Sequence, residues 1–117
     1  MIIPPSGVRV VIAALPVDFR KGADGLAAIA QSVLRLDPFS GLIIVFRAKR
    51  ADRIKLLVWD GTGLVVVWKR LEQGTFRWPP ITDGVMRLSS AQLAALLEGL
   101  DWSRVHIPRL GRPKRAQ

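Results

Sequence analysis

The chain has 117 residues, no cysteine and a formal net charge of +9, from 18 Lys and Arg against nine Asp and Glu. This length is typical of one domain with its own core. The lack of cysteine excludes disulfides, thiolate metal sites and cysteine nucleophiles, and it favours the reducing cytoplasm as the compartment. No apolar run approaches the roughly 20 residues of a membrane span, so we expect no membrane association.

The first part of the chain predicts a strand followed by a helix. Residues 9–15 are mostly β-branched or apolar, which favours a strand that ends at Pro16. After a turn at residues 18–22, Asp24 is placed to cap a helix that cannot continue through Pro38. The apolar positions of this helix recur at helical spacing: Leu26, Ile29, Ala30, Val33 and Leu34.

The remainder predicts a meander of strands and a second helix. Three apolar runs at residues 42–47, 54–59 and 64–71 favour strands, and the Asp60-Gly61 pair predicts a hairpin between the last two. Residues 75–78 could add a short edge strand. Ser89 and Gln92 then form a capping box ahead of an apolar helical face. The sequence therefore predicts an α+β domain, with two helices covering one face of an antiparallel sheet.

The positive charge is concentrated in two clusters. Residues 104–117 hold five of the bases and no acid, so residues 1–103 keep 13 bases against nine acids, a charge of +4. Pro108, Gly111 and Pro113 interrupt this C-terminal stretch, which predicts a flexible, disordered basic tail after a single domain of residues 1–103. The first cluster is Arg47, Lys49, Arg50, Arg53 and Lys55, and the second is Arg104, Arg109, Arg112, Lys114 and Arg115.

Both clusters are candidate nucleic-acid-binding residues. Clustered cations attract phosphate backbones by displacing their counterions, so we expect DNA as the partner. The first cluster joins two predicted strands, which would place its side chains at a rim of the sheet. The alternative is a solvated hairpin whose charges prevent unwanted pairing of strand edges.

Aromatic side chains and carboxylates offer weaker signals. Most of the Trp and Phe residues lie in apolar runs and are interpreted as core, with Phe76 and Trp78 as the best candidates for stacking on bases. Three acids could suggest a catalytic metal site, but turns and a helix end explain each of them: Asp60, Asp83 and Glu98. No glycine-rich phosphate loop is present. We therefore expect no catalytic residue, no metal and no cofactor.

A series of motifs extends over most of the chain, from about Val8 to Trp102. The motifs lie at residues 18–26, 37–41, 45–47, 52–57, 59–61, 69–72, 76–79 and 96–101. Together they resemble the TnpB-type accessory protein of the insertion sequence sixty-six (IS66) family. The resemblance implies a helper that is encoded beside a separate, larger transposase, and this helper is distinct from the much longer RNA-guided nuclease of the same name.

Three functions follow from these observations. The leading hypothesis is a non-catalytic accessory protein of transposition that binds the phosphates of transposon ends or target DNA. The alternative is a protein-interaction module whose basic surface docks on an acidic region of the transposase. The third is a nuclease. The sequence does not determine the oligomeric state or any preference for a DNA sequence.

Overall fold

The computed structural model describes residues 8–105, which form a five-stranded sheet with helices on both sides. The strand order is β4-β3-β2-β1-β5. This architecture confirms the α+β class and the antiparallel meander of β2, β3 and β4. The elements in chain order are β1 (Val10–Ala13), α1 (Ala23–Ser32), β2 (Ile43–Arg47), β3 (Arg53–Trp59), β4 (Leu64–Arg70), β5 (Val85–Leu88), α2 (Ser90–Leu97) and a 3₁₀ helix (Trp102–Arg104).

The sheet is mixed, so the prediction of a wholly antiparallel sheet is wrong at one pair. β1 runs parallel to β2, with Val10 opposite Ile43. Parallel neighbours need a long crossover connection, and α1 with its flanking turns supplies it. The other three strand pairs are antiparallel.

The predicted edge strand at residues 75–78 is also wrong. The backbone N–H of Phe76 donates to the carbonyl of Ala51 at 2.9 Å, so this segment packs on the β2–β3 loop and does not pair with a strand. The edge position belongs to β5, which pairs with β1. The sequence does not predict β5, because its four residues are too few for a clear alternating pattern.

The two helices lie on opposite faces of the sheet, which corrects the prediction that both cover one face. Val10 and Ile12 of β1 pack in the core with α2, whereas Val11 and Ala13 pack with α1. The reason is that alternate residues of β1, β2 and β3 point to opposite faces and are buried on both. Neither α1 nor α2, within residues 8–105, has the length and apolar character to cross a membrane.

Of the three local features predicted from the sequence, the capping box of α2 and the hairpin are confirmed, and the cap of α1 is wrong. The capping box is confirmed, because the Gln92 N–H donates to Ser89 Oγ at 3.0 Å and the Ser89 N–H donates to Gln92 Oε1 at 2.9 Å. The hairpin is confirmed as well. The backbone N–H groups of Thr62 and Gly63 donate to the Asp60 carboxylate and lower its pKa. Asp24 is not the cap of α1, which begins after Gly22, and lies in the first turn instead.

Arg35, three residues after the end of α1, has a conformation that favours glycine, with φ at 57°. The N–H of Leu36 reaches back to the carbonyl of Ala30 at 2.8 Å, as in a helix end that uses a left-handed residue. We expect Arg35→Gly to raise the free energy of unfolding by about 1 kcal/mol, because a Cβ in this region costs about that much. Urea denaturation measures the change. Arg35→Ala keeps the Cβ and should stay within about 0.5 kcal/mol of the parent; equal gains for both variants would refute backbone strain as the cause.

Candidate nucleic-acid interface

The first basic cluster surrounds the loop between β2 and β3 at one end of the sheet. Arg47 is the last residue of β2 and Arg53 is the first of β3, while Lys49 and Arg50 lie in the loop between them. We call these four residues the basic rim. The side chains of Lys49 and Arg50 are exposed, and Arg47 and Arg53 are half-buried. Lys49 and Arg50 are therefore the two members that reach furthest into solvent.

Backbone hydrogen bonds fix the rim from both sides. The N–H of Val17 donates to the carbonyl of Arg47 at 2.9 Å. On the other side, the N–H groups of Leu71 and Phe76 donate to the carbonyls of Asp52 and Ala51, also at 2.9 Å. Three separate segments of the chain thus hold the loop. Its cations are presented on a fixed backbone, which reduces the entropy lost when they bind a ligand.

One acid lies among the rim cations and neutralises them only in part. Asp52 is 3.7 Å from Arg50 Nη2 and 3.7 Å from Arg53 Nε, which are distances of ion pairs without good hydrogen bonds. Within residues 8–105, Arg47 and Lys49 form no ion pair. The Arg47 guanidinium lies 5.6 Å from the ring centre of Trp78, a cation–π contact that orients it. The rim therefore keeps a net positive charge.

Lys55 does not belong to the exposed surface that the sequence predicted for it. It is only 9% exposed, and its Nζ donates to the carbonyls of Phe19 at 2.7 Å and Lys21 at 2.9 Å. Nζ also lies 4.5 Å from the centre of the Phe19 ring. The alternation of β3 places Lys55 on the α1 face, beneath the turn of residues 18–21. Its charge stabilises that turn and is not available to a phosphate.

The turn of residues 18–21 lies beside the rim, a position that the sequence does not predict. A pocket of about 340 Å³ separates the turn from the loop and is lined by Pro16, Val17, Asp18, Phe19, Ala48, Lys49, Arg50 and Arg53. The Arg20 guanidinium donates to both carboxylate oxygens of Asp18, and the Arg20 backbone N–H donates to one of them. These hydrogen bonds hold the pKa of that carboxyl well below its usual range, so this pair is ionised. The adjacent charges of Asp18, Arg20 and Lys21 were the available signal. From the sequence, these residues predict only a turn.

The second basic cluster begins close to the segment that supports the rim. Arg104 lies in the 3₁₀ helix and is 3.4 Å from Asp101. Its neighbour Trp102 donates its indole N–H to the carbonyl of Arg77 at 2.6 Å, and the next residue, Trp78, contacts Arg47. A chain of contacts therefore joins the 3₁₀ helix to the rim. The other predicted members of this cluster lie outside the described residues: Arg109, Arg112, Lys114 and Arg115.

Comparison with known proteins agrees with the resemblance found in the sequence. Residues 8–107 match the family described as IS66 Orf2 like protein. The chain belongs to this family. Two relatives from Sinorhizobium fredii (strain NBRC 101917 / NGR234) carry the names uncharacterized protein y4jC and uncharacterized protein y4hO. The first is 46% identical over 113 residues, which is 97% of each chain. The second is 43% identical over 100 residues, covering 84% of this chain and 87% of the relative.

No solved structure matches this IS66 Orf2-like protein. The family consists of accessory proteins of IS66 elements, and it associates the chain with transposition.

The prediction that most aromatic residues of the IS66 Orf2-like protein are core is wrong, because only Phe46, Phe76 and Trp102 of the eight are buried and Phe39 is 47% exposed. Phe76 is buried, so it is not available to stack on a base. Trp68 is 58% exposed on the α1 face of β4, where its ring meets the edge of Phe19 with centres 6.1 Å apart. Trp78 is half-buried beneath Arg47. Trp68 is exposed because β4 is an edge strand of the sheet, a position that the sequence does not predict.

The three carboxylates considered for metal binding are dispersed over the IS66 Orf2-like protein. Asp60 belongs to the β3–β4 turn, Asp83 precedes β5, and Glu98 lies 3.7 Å from Lys69 at the end of α2. In the part of the chain that the structure describes, no group of three or more His, Asp or Glu side chains could hold a metal ion. Each acid keeps the local role in a turn or at a helix end that the sequence suggested.

Proposed function

We propose that this IS66 Orf2-like protein is a non-catalytic accessory protein of transposition that binds the phosphate backbone of DNA through the basic rim. The observation that carries the proposal is a set of four cations around one loop, held by three backbone segments and opposed by one acid. Cations held in this way can neutralise neighbouring phosphates and release their counterions. The bases of residues 104–117 add to the attraction.

The members of the rim have different tasks in this proposal. Lys49 and Arg50 contact phosphates, because they extend into solvent. Arg47 and Arg53 are half-buried and contribute a fixed positive field behind them. Contacts of this kind fix the position of a protein on a duplex without specifying sequence. We therefore expect binding with little preference among duplexes of equal length.

The proposal is tested by removing the two exposed rim charges together. Lys49→Ala combined with Arg50→Ala should weaken duplex binding by about tenfold and lower the salt slope by about two, since each phosphate contact contributes roughly one. Fluorescence anisotropy of a labelled duplex, recorded at several NaCl concentrations, measures both quantities. The fold should persist, because exposed substitutions change stability by only about 0.5 kcal/mol each.

The matched control removes two cations from the opposite end of the sheet. Arg9 precedes β1, and its carbonyl accepts the N–H of Ile43 at the start of β2. Arg35 leads into the segment where Phe39 packs on Trp59, the last residue of β3. Arg9→Ala with Arg35→Ala should leave the salt slope nearly unchanged. Equal losses in the two double variants would mean that only net charge matters and that the rim is not the site.

The same variants address docking on an acidic region of the transposase. In that alternative, the parent shows no salt-dependent affinity for DNA, while the rim variant loses binding to the transposase. DNA binding that falls with salt and depends on Lys49 and Arg50 supports the present proposal instead.

A further inference from the structure

β4 is a long edge of the sheet that, among residues 8–105, pairs with β3 alone. It has seven residues and pairs with β3 continuously, from Arg70 opposite Arg53 to Leu64 opposite Trp59, without a bulge. Protein edges are usually blunted by short length, proline, bulges or central charges. The opposite edge, β5, has four residues with Arg87 among them. The first five residues of β4, at 64–68, have none of these protections.

The sequence of β4 is that of an interior strand. Leu64, Val66 and Trp68 point to the α1 face, whereas Val65 and Val67 point to the α2 face, so both faces are apolar. Such continuous apolar runs are typical of strands that are covered on both faces and paired on both sides. Yet Trp68 is 58% exposed and Val67 is 38% exposed. In the described part of the chain, these two apolar side chains are therefore open to solvent.

The hydrogen bonds at the two ends of β4 determine which of its backbone groups are free. The N–H of Asp60 donates to the carbonyl of Gly63 at 3.1 Å, and the N–H of Leu71 donates to the carbonyl of Asp52 at 2.9 Å. Hydrogen-bonded pairs alternate along an antiparallel ladder, so Val65, Val67 and Lys69 face β3. The N–H and C=O groups that point outward from the sheet belong to Leu64, Val66, Trp68 and Arg70.

We propose that β4 pairs with β4 of a second copy of this chain, antiparallel and about a twofold axis at Val67. This register pairs Val66 with Trp68 of the second copy and Leu64 with Arg70 of the second copy. It uses all four outward-facing residues and joins the two sheets into one. An interface that is formed by the same patch on both chains closes as a dimer and does not propagate into fibres.

Charge favours a second copy in this orientation. β4 follows the acidic turn at Asp60 and ends with Lys69 and Arg70, so antiparallel pairing brings the basic end of one strand towards the acidic end of the other. No like charges are then directly opposite, because Lys69 and Arg70 meet Val65 and Leu64 of the second copy. A parallel arrangement would bring like charges together. The dimer also presents its two basic rims at opposite ends of the joined sheet.

The full chain is tested by analytical ultracentrifugation over a range of concentrations. We expect a monomer–dimer equilibrium in which Val67→Lys weakens the dimer by about tenfold or more, since two lysines would face each other at the axis. Val33→Lys makes the same change at another exposed valine, at the end of α1, and should dimerise like the parent. A parent that stays monomeric throughout, or Val67→Lys that dimerises equally well, overturns the proposal.

Two further measurements, the salt dependence of the dimer and amide hydrogen exchange, test the pairing of β4 without the variants and without DNA. The attraction between strand ends involves a few charges, whereas the repulsion between two chains of +9 each involves the whole surface. Because salt screens both, the dimer should become stronger as NaCl rises, whereas DNA affinity falls. In the parent, the amides of Val66 and Trp68 should gain protection as protein concentration rises. Exchange at these amides that is fast and independent of concentration contradicts the pairing, whatever the result with DNA.

Discussion

Trp102→Ala is expected to lower the free energy of unfolding by about 3–5 kcal/mol, the usual cost of removing a buried large aromatic side chain. Trp102 is only 5% exposed and belongs to the core cluster on the α2 face. Its indole N–H also donates to the carbonyl of Arg77 at 2.6 Å. Since a domain of this size has a total stability of about 5–15 kcal/mol, the loss would be large. Urea denaturation followed by circular dichroism measures it.

One further substitution and two truncated chains separate the contributions of Trp102. Trp102→Phe keeps most of the apolar contact and loses the N–H donor, so we expect a cost of about 1–3 kcal/mol. A chain that ends after Val105 keeps the indole and should be nearly as stable as the parent, whereas a chain that ends after Asp101 should resemble Trp102→Ala. Equal stability of the two truncated chains would contradict a role for Trp102 in the core. This pair also tests the predicted domain boundary at residue 103.

Lys55→Met should have the next largest effect, a loss of about 2 kcal/mol. Methionine fills similar space but leaves the carbonyls of Phe19 and Lys21 without the ammonium that now donates to both. A buried polar group that loses its partner costs about 1–3 kcal/mol, and relief from burying a charge offsets part of that. Urea denaturation measures the loss. Hydrogen exchange should show faster opening of the turn at residues 18–21.

The control for Lys55→Met is the same substitution at an exposed lysine. Lys49 lies in the rim loop without an ion pair among the described residues, so Lys49→Met should change stability by no more than about 0.5 kcal/mol. If both variants were equally stable, the contacts of Lys55 with the turn would contribute nothing to the fold.

Elements with local signals could be predicted from the sequence, and their arrangement could not. The capping box at Ser89 and the hairpin at Asp60 depend on residues within three positions of each other, and both were found. The face of the sheet that each helix covers is an example, because it depends on the side of β1 against which the helix packs. Because both faces of β1 are apolar, its pattern carries no information on that choice. The parallel pairing of β1 with β2 is equally non-local.

The candidate site shows the same division between local and distant information. The rim residues are close in sequence, so their clustering was visible before the structure. The sequence predicts Lys55 on the same surface. Its ammonium instead donates to the carbonyls of Phe19 and Lys21, which lie 36 and 34 residues earlier, before α1. Only the fold brings that turn over β3. Likewise, Trp68 is exposed because β4 is an edge, a property of strand order rather than of local sequence.

DNA binding by the basic rim can be followed residue by residue through the amide chemical shifts of the full ¹⁵N-labelled chain during titration with a short duplex. We predict that the largest shifts occur at residues 48–53, with smaller ones in the turn at residues 18–21 and little change at Arg9 and Arg35. The shifts should revert as NaCl is added, because backbone contacts are released by counterions. Saturating DNA that leaves residues 48–53 unchanged while shifting another surface would contradict the account.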